Sequence, residues 1–296
     1  MSPQRAEEEV APIGADLEGL DALETPAEKR TSPARRIWAL AWPKLAAAFI
    51  ALVVWQALVW SGWRPSYVLP GPGPVFRRLF ADLSNGVLPR AVATTMRRAV
   101  AGYGIAVLIG TVLGVSISGV PVLRRALGSL LASLQTMPSI AWFPLAILLF
   151  KLSESAILFV VVLGAAPAIA GGIVYGIDHI PPVLLRAGRV LGARGLGAYR
   201  HVVFPAALPA FVAGLKQGWA FAWRSLMAGE LLVIIANRPS LGVRLQFARE
   251  LSDSEGMLAA MIVILAIGVL VDSLIFGSAA AFLRRRRGLV DAATRP

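Results

Sequence analysis

The sequence predicts an all-α integral membrane protein: six transmembrane helices, with a cytoplasmic helix–turn–helix segment between spans four and five. Composition is the first reason. Of 296 residues, 57% are hydrophobic and 16% charged, and the mean hydropathy is +0.69. A soluble domain carries about 45–50% apolar and roughly 25% charged residues. The second reason is length. Six apolar stretches reach the ~20 residues that a helix rising ~1.5 Å per residue needs to cross ~30 Å of hydrocarbon. The third is the placement of Lys and Arg, which gather at the ends of those stretches.

The N-terminal residues 1–34 are rich in Glu, Ala and Pro and hold no apolar core, so they read as a disordered acidic tail on the cytoplasmic side. Residues 1–28 carry eight acids and one base, and the rest of the chain 28 bases and nine acids. The net charge of +12 therefore belongs to the membrane part, where basic residues mark span ends and anionic lipid surfaces. This placement explains the charge better than nucleic-acid binding does. The chain has no cysteine, which excludes disulfides, thiolate metal sites and a cysteine nucleophile. His179 and His201 have no ligand partner nearby in sequence, so no metal site is expected.

The expected spans are 44–62, 99–118, 126–150, 155–176, 208–235 and 257–282 within a membrane domain of 35–288, followed by a cytoplasmic tail of 289–296. Arg97 and Arg98 lie at the edge of the second span, and Pro138 and Pro144 break the third. With both termini cytoplasmic, fifteen bases fall inside and ten outside, and Arg284 to Arg287 form the strongest anchor. Gly110, Gly114, Gly164, Ala165 and Ala166 are small enough to let helices approach closely.

Residues 181–205, "PPVLLRAGRVLGARGLGAYRHVVFP", are too charged and glycine-rich to cross a membrane. The double proline can open a helix. Leu184, Ala187, Gly188 and Leu191 share one of its faces, with Arg186 and Arg189 elsewhere. Gly192 and Gly195 permit a turn. A second short helix is expected over 196–203, with Leu196, Tyr199 and Val203 on one face, ended by Pro205 and Pro209. Spacing alone leaves two uses open: a rigid unit seated in a groove of a partner protein, or an amphipathic element lying on lipid.

This segment resembles the coupling loop of ATP-binding-cassette importer permeases, whose pattern is Glu-Ala-Ala, three residues, Gly, nine residues, Ile-x-Leu-Pro. Here it runs Arg186-Ala187-Gly188, Gly192, then Val202-Val203-Phe204-Pro205. Arg186 replaces the Glu and Gly188 the second Ala. Three more stretches are similar to the nitrate/sulfonate/taurine branch of that family: "LPGPGPVFRRLFADLSNGVLPRAVATTMRRAVAGYGIA" from Leu69, "TMPSIAWFPLAILLF" at 136–150, and "GLKQGWAFAWRSLMAGELL" at 214–232. The resemblance covers about residues 45–288.

The resemblance implies a permease subunit that pairs with a second copy of itself in the bacterial inner membrane. It implies two copies of a cytoplasmic ATPase seated on the loops, and an extracytoplasmic solute-binding protein. ATP and Mg would sit on the ATPase, with no cofactor in this chain, which has no G-x-x-x-x-G-K-[ST] phosphate loop and is not expected to be an enzyme. The implied solute is a small anion such as an aliphatic sulfonate, taurine or nitrate, with a neutral or aromatic vitamin precursor as the alternative. An ion-coupled transporter would carry an inverted repeat, and none is visible. An intramembrane enzyme would need a nucleophile with its base, or a metal cluster.

Lys216, Arg224 and Glu230 fall within one expected span, and ionisable groups there face a bundle interior or a wet path. Arg224 and Glu230, six residues apart, point in different directions, and Asp272 is a candidate partner for Arg224. Arg224 is read equally as a path-lining anion site or as half of an ion pair. Glu230 and Asp272 are read first as structural ion pairs. Trp142, Trp219 and Trp223 are candidates for the path wall, against simple packing.

Overall fold

The computed structural model describes residues 33–286, and these are helical nearly throughout. The acidic stretch 1–32 and residues 287–296, which include Arg287 and the tail, lie outside the described residues. α1 spans Pro33–Trp60, so helix begins two residues before the boundary expected from sequence. This helix falls almost entirely in the first of two units, divided near Leu58.

The second unit holds the remaining elements. α2 (Pro72–Ser84) and α3 (Val87–Gly119) are followed by α4 (Pro121–Thr136), a 3-10 turn (Ser139–Trp142) and α5 (Phe143–Phe150). α6 (Glu154–Asp178), α7 (Pro182–Val190), α8 (Gly195–Ala198) and α9 (Phe204–Leu232) come next. α10 (Leu241–Glu250), α11 (Ser254–Val271) and α12 (Ser278–Arg286) complete it. Proline opens α2, α4 and α7, where its missing N–H costs nothing. α10 and α11 start on side-chain caps: Ser240 accepts from the Val243 N–H and Asp253 from the Gly256 N–H.

The span count differs in detail from the six expected. Among the described residues, four helical runs are long and apolar enough to cross a membrane: Val87–Gly119, Glu154–Asp178, Gly195–Leu232 and Ser254–Arg286. α4 and α5 pass that test only together, and they are bent by 103°. The bend sits at Met137–Pro138, both extended, because proline excludes the α region for the residue before it. The first expected span appears as a shorter apolar helix, Leu45–Trp60.

α6 is the centre of the second unit and packs between α3 and α9. Its buried face is built from small residues, including Ala165, Ala166 and Ala168. Small residues let α9 come very close: a Cβ added to Gly172 would lie 2.6 Å from the Cα of Gly214. On the α3 side, Gly110 and Gly114 approach Ala166, Ile169 and Ile173 equally tightly. Between helices in lipid this kind of packing, rather than exclusion of water, supplies the attraction. Aromatic rings fill the wider part of the core, with Tyr103 edge-on to Trp219 at 5.4 Å and Trp219 stacked on Trp223 at 5.9 Å.

Replacing Gly172 with valine should force α6 and α9 apart and cost about 1–3 kcal/mol or more. Thermal unfolding in detergent reads this directly. Gly104→Ala, at a position with no neighbour to meet, should leave the midpoint unchanged or slightly raised.

Candidate functional site

Two regions hold the candidate residues: the segment between α6 and α9, and the charged part of α9. In the first, α7 ends in a glycine cap of defined geometry. Gly192 adopts φ +82°. Its N–H donates to the Arg189 carbonyl at 3.1 Å, and the Ala193 N–H to the Gly188 carbonyl at 2.9 Å. This is the Schellman arrangement, which satisfies the last carbonyls of the helix and reverses the chain. Gly195, at φ +52°, completes the turn into α8.

The second short helix expected over 196–203 is not a separate element. Helix runs without a break from Gly195 through a π-helical stretch, Tyr199–Val203, into α9. Pro205 and Pro209 do not end it, and the fifth span does not begin at 208. Pro205 falls in the first turn of α9 directly after the π stretch, where the Phe204 N–H reaches back five residues to the Tyr199 carbonyl. The wider turn absorbs the register change around the proline. Pro209 stays inside the helix.

Gly188 is the pivot of this region. It is the one buried residue of α7, and a Cβ there would lie 2.7 Å from Val202 Cγ2. The expected apolar face is therefore not a packed face: Leu184 and Ala187 are exposed, and Leu191 is 86% exposed. Val190 and Leu196 are equally open, at 85% and 88%. Arg186, Arg189, Arg194 and Arg200 surround them, all exposed. Phe204 and Pro205 are exposed at the start of α9. The result is a stiff projection with an apolar tip and a basic flank, a combination that marks an interaction surface. A cavity of about 260 Å³ opens on its inner side, lined by Leu185, Gly188, Ala198 and Val202 among others.

The charges of α9 separate by environment. Glu230 is fully buried. Its carboxylate accepts from Arg98 Nη1 at 2.9 Å, from the Thr95 hydroxyl at 2.9 Å and from the Gly242 N–H at 3.0 Å. Thr95 in turn accepts from the Leu241 N–H at 3.0 Å. Glu230 thus neutralises an arginine and satisfies the first turn of α10, whose free N–H groups favour an anion. Arg98, 3% exposed, turns its other edge to Glu154, with contacts of 2.7 and 2.8 Å from Nε and Nη2. Arg238 approaches the same Glu154 at 3.7 Å. Four helices, α3, α6, α9 and α10, meet at this knot.

Neither Arg98's inward turn nor the roles of Thr95 and Glu154 were deduced from sequence. A signal existed for Arg98. Ala91, Thr95, Gly102 and Ala106 share its helical face, and all are buried, whereas Arg97 points out. Small residues at that spacing mark the packed side of α3.

Asp272 does not partner Arg224. It pairs with Lys216 at 3.1 Å, at the start of a second π-helical stretch, Asp272–Gly277. Arg224 is exposed; its Nε donates to the Ala220 carbonyl at 3.0 Å and its guanidinium lies 4.8 Å from the Phe221 ring centre. Trp219 and Trp223 are buried in the core, and Trp142 is half-buried in the 3-10 turn.

The profile of the binding-protein-dependent transport system inner membrane component family matches residues 106–288, which include α6, α7 and all of α9. The chain belongs to that family. It is accordingly an inner-membrane, multi-pass transport permease. Among relatives of this permease is a putative ABC transporter permease of Methanocaldococcus jannaschii, 28% identical over 77% of this chain and 86% of the relative. The riboflavin transport system permease of Chloroflexus aurantiacus is 31% identical, covering 78% and 87%. A putative aliphatic sulfonates transport permease of Escherichia coli is 30% identical, covering 75% and 83%. A solved structure of the methionine ABC transporter MetNI in an inward-facing conformation shares the fold, with TM-score 0.57 and 19% identity over 66% of this permease and 95% of that chain.

Removing Arg98 alone would leave Glu230 buried and unpaired. Arg98→Met should cost about 3–5 kcal/mol, and adding Glu230→Met should recover only part of it, because the Gly242 N–H and the Thr95 hydroxyl then lose their acceptor. Thermal unfolding of the four proteins of this cycle measures the coupling.

Proposed function

We propose that this permease is the translocation subunit of an ATP-driven, binding-protein-dependent importer, working as a homodimer, with residues 181–205 as its coupling loop. The observation that carries the reading is the projection at α7: a glycine-capped helix locked by Gly188 against Val202, joined by one tight turn to the helical run of α9, and tipped by apolar side chains that nothing among the described residues covers. A groove on a cytoplasmic ATPase is a fitting partner for such a tip. The role falls to Arg186, Ala187, Gly188, Gly192, Val202, Phe204 and Pro205. Arg186, in the position where the family pattern has Glu, brings a positive charge to that contact. ATP and Mg belong to the ATPase, and a solute-binding protein delivers the cargo from the opposite side.

The solute we infer is a small anion of the sulfonate, taurine or nitrate kind. Support comes from the sulfonate relative and from Arg224, a cation exposed within a spanning helix, about two turns from its C-terminal end. The riboflavin relative is the observation that favours a second reading, a vitamin precursor as cargo.

Mild detergent purification should bring down an ATPase at about one copy per permease. Gly192→Trp places a side chain in the left-handed region, at a cost of roughly 1–2 kcal/mol, and puts bulk at the tip. Gly188→Leu collides with Val202. Both should lose the ATPase while still inserting in the membrane, as judged by mass spectrometry of the purified material. Retention of ATPase by both variants removes the coupling assignment.

With intact transporter in vesicles, Arg224→Gln should lower ATP-dependent uptake of labelled ethanesulfonate or nitrate by tenfold or more if the cargo is an anion. Anion uptake unchanged by Arg224→Gln removes Arg224 from the path, and uptake of riboflavin with none of the anions decides for the second reading.

A further inference from the structure

Between residues 208 and 231, α9 has five exposed positions: Pro209, Ala213, Lys216, Gln217 and Arg224. They recur at helical spacing and so form one stripe. Of its five members three are polar, and two of those are cations. The exposed faces of the other spanning helices look different. On α3 the charged open positions, Arg90 and Arg97, lie in its first eleven residues, and beyond them Val100, Ile105, Leu108 and Val112 are open; on α11 Glu255 lies in the first turn, and beyond it Met261, Leu265 and Val269 are open. Those faces suit hydrocarbon. A stripe with Lys216, Gln217 and Arg224 does not, because ionised groups in a span turn toward protein or water.

Lys216 lies eight residues from Arg224, about 12 Å along the axis. It is held by Asp272, yet the two side chains remain 51% and 43% exposed. An ion pair so open is not a buried staple like Arg98–Glu230. Asp272 sits where the sixth span widens into its π-helical stretch, a distortion frequent at functional sites. Beside the pair a half-open cavity of about 260 Å³ runs between the two helices. Pro209, Ala213 and Lys216 line it from one side, and Ala280, Leu283 and Arg284 from the other. Among the described residues that line it none is acidic, and Asp272 reaches it only through its contact with Lys216. The small side chains of Ala213 and Ala280 keep it open, and Arg284 stands at the last turn of the helical run.

We infer that Lys216 is a second anion station: a solute anion passing Arg224 displaces Asp272 from Lys216 and leaves along the groove toward Arg284. This rests on the importer reading for direction and deepens its anionic cargo. The groups facing the station are Lys216, Asp272 and Gln217, with Arg284 in the groove. Asp272 is the counter-charge that keeps Lys216 from binding an anion permanently. A fixed cation alone would trap the cargo, whereas a cation with a competing carboxylate binds and releases it.

The absence of cysteine makes the test direct. Single cysteines are introduced at Ala213 and Ala220, one turn either side of Lys216, and at Leu108 as a lipid-facing control. Permeabilised membrane vesicles containing the full transporter are treated with 2-sulfonatoethyl methanethiosulfonate, an anion, or its trimethylammonium counterpart, a cation. The permease is then purified and its labelling counted. Thiols at 213 and 220 should react, with the anionic reagent faster, and the thiol at 108 should not. In the same backgrounds Lys216→Gln should lower the anion-to-cation rate ratio roughly tenfold, Asp272→Asn should raise it, and Lys216→Arg should preserve it.

Unreactive thiols at 213 and 220, or a ratio that Lys216→Gln leaves unchanged, overturns the station. Equal labelling at 108 overturns it too, since the stripe would then be no wetter than a lipid face. Recovery of ATPase is scored on the same preparations. Reactive, charge-selective thiols in a permease that brings down no ATPase would keep the anion face and remove the importer reading. ATPase with unreactive thiols would remove the anion station alone.

Discussion

A single arginine, Arg98, sets the arrangement of one end of this permease. It is almost wholly buried and lies between two carboxylates, Glu230 and Glu154, brought from helices that start far apart in the chain. Burying a guanidinium is costly unless every face of it finds a partner, so the helices that supply those partners cannot drift. The same Glu230 also receives the first turn of α10, and a Cβ at Gly242 would collide with the Glu230 side chain. The register of α3 against α9, and of both against the segment after α9, is therefore fixed by hydrogen-bond directions rather than by apolar shape alone. Nearby ion pairs among Arg78, Asp82, Arg244 and Asp253 fasten α2 to α10 and α11.

Away from that knot the helices are held by proximity. Backbones at Gly172 and Gly214 nearly touch, and α3 presses its glycines against α6. The two kinds of attachment complement each other. Close small-residue contacts are strong in dispersion but permit sliding along the axis, while the charge knot forbids sliding at its own level. Arg124 and Asp178, 2.7 Å apart, supply a weaker, more open tie at the opposite end.

Much of this was legible in the sequence because it is local. Apolar length marked the long helices, Pro138 marked the 103° bend, and the glycines at 192 and 195 marked the turn after α7. What was not legible is long-range or compensatory. Arg98 meets Glu154 and Glu230 across 56 and 132 residues, which no periodicity encodes. Asp272 chose Lys216 over Arg224, a matter of which helix faces touch. Pro205 and Pro209 read as stop signals, yet the helix continues: Pro205 falls in the first turn of α9 just after the π stretch, and Pro209 is carried inside the helix. Arg97 and Arg98 are identical as letters and opposite in environment; the small residues on the Arg98 face were the clue that separates them.

The uninterrupted run from Gly195 to Leu232 has a mechanical consequence. Thirty-eight helical residues extend over about 57 Å, well beyond the apolar thickness they cross. One end of this helix carries the projection beside α7, and near the other Glu230 is bonded to α3 and α10 and, through Arg98, tied to α6. A force on the projection reaches the span without leaving helix, through the π stretch at Tyr199–Val203 and past Pro209. Those are the two points at which the helix can yield, and the part beyond them carries the exposed stripe from Ala213 to Arg224 as one piece.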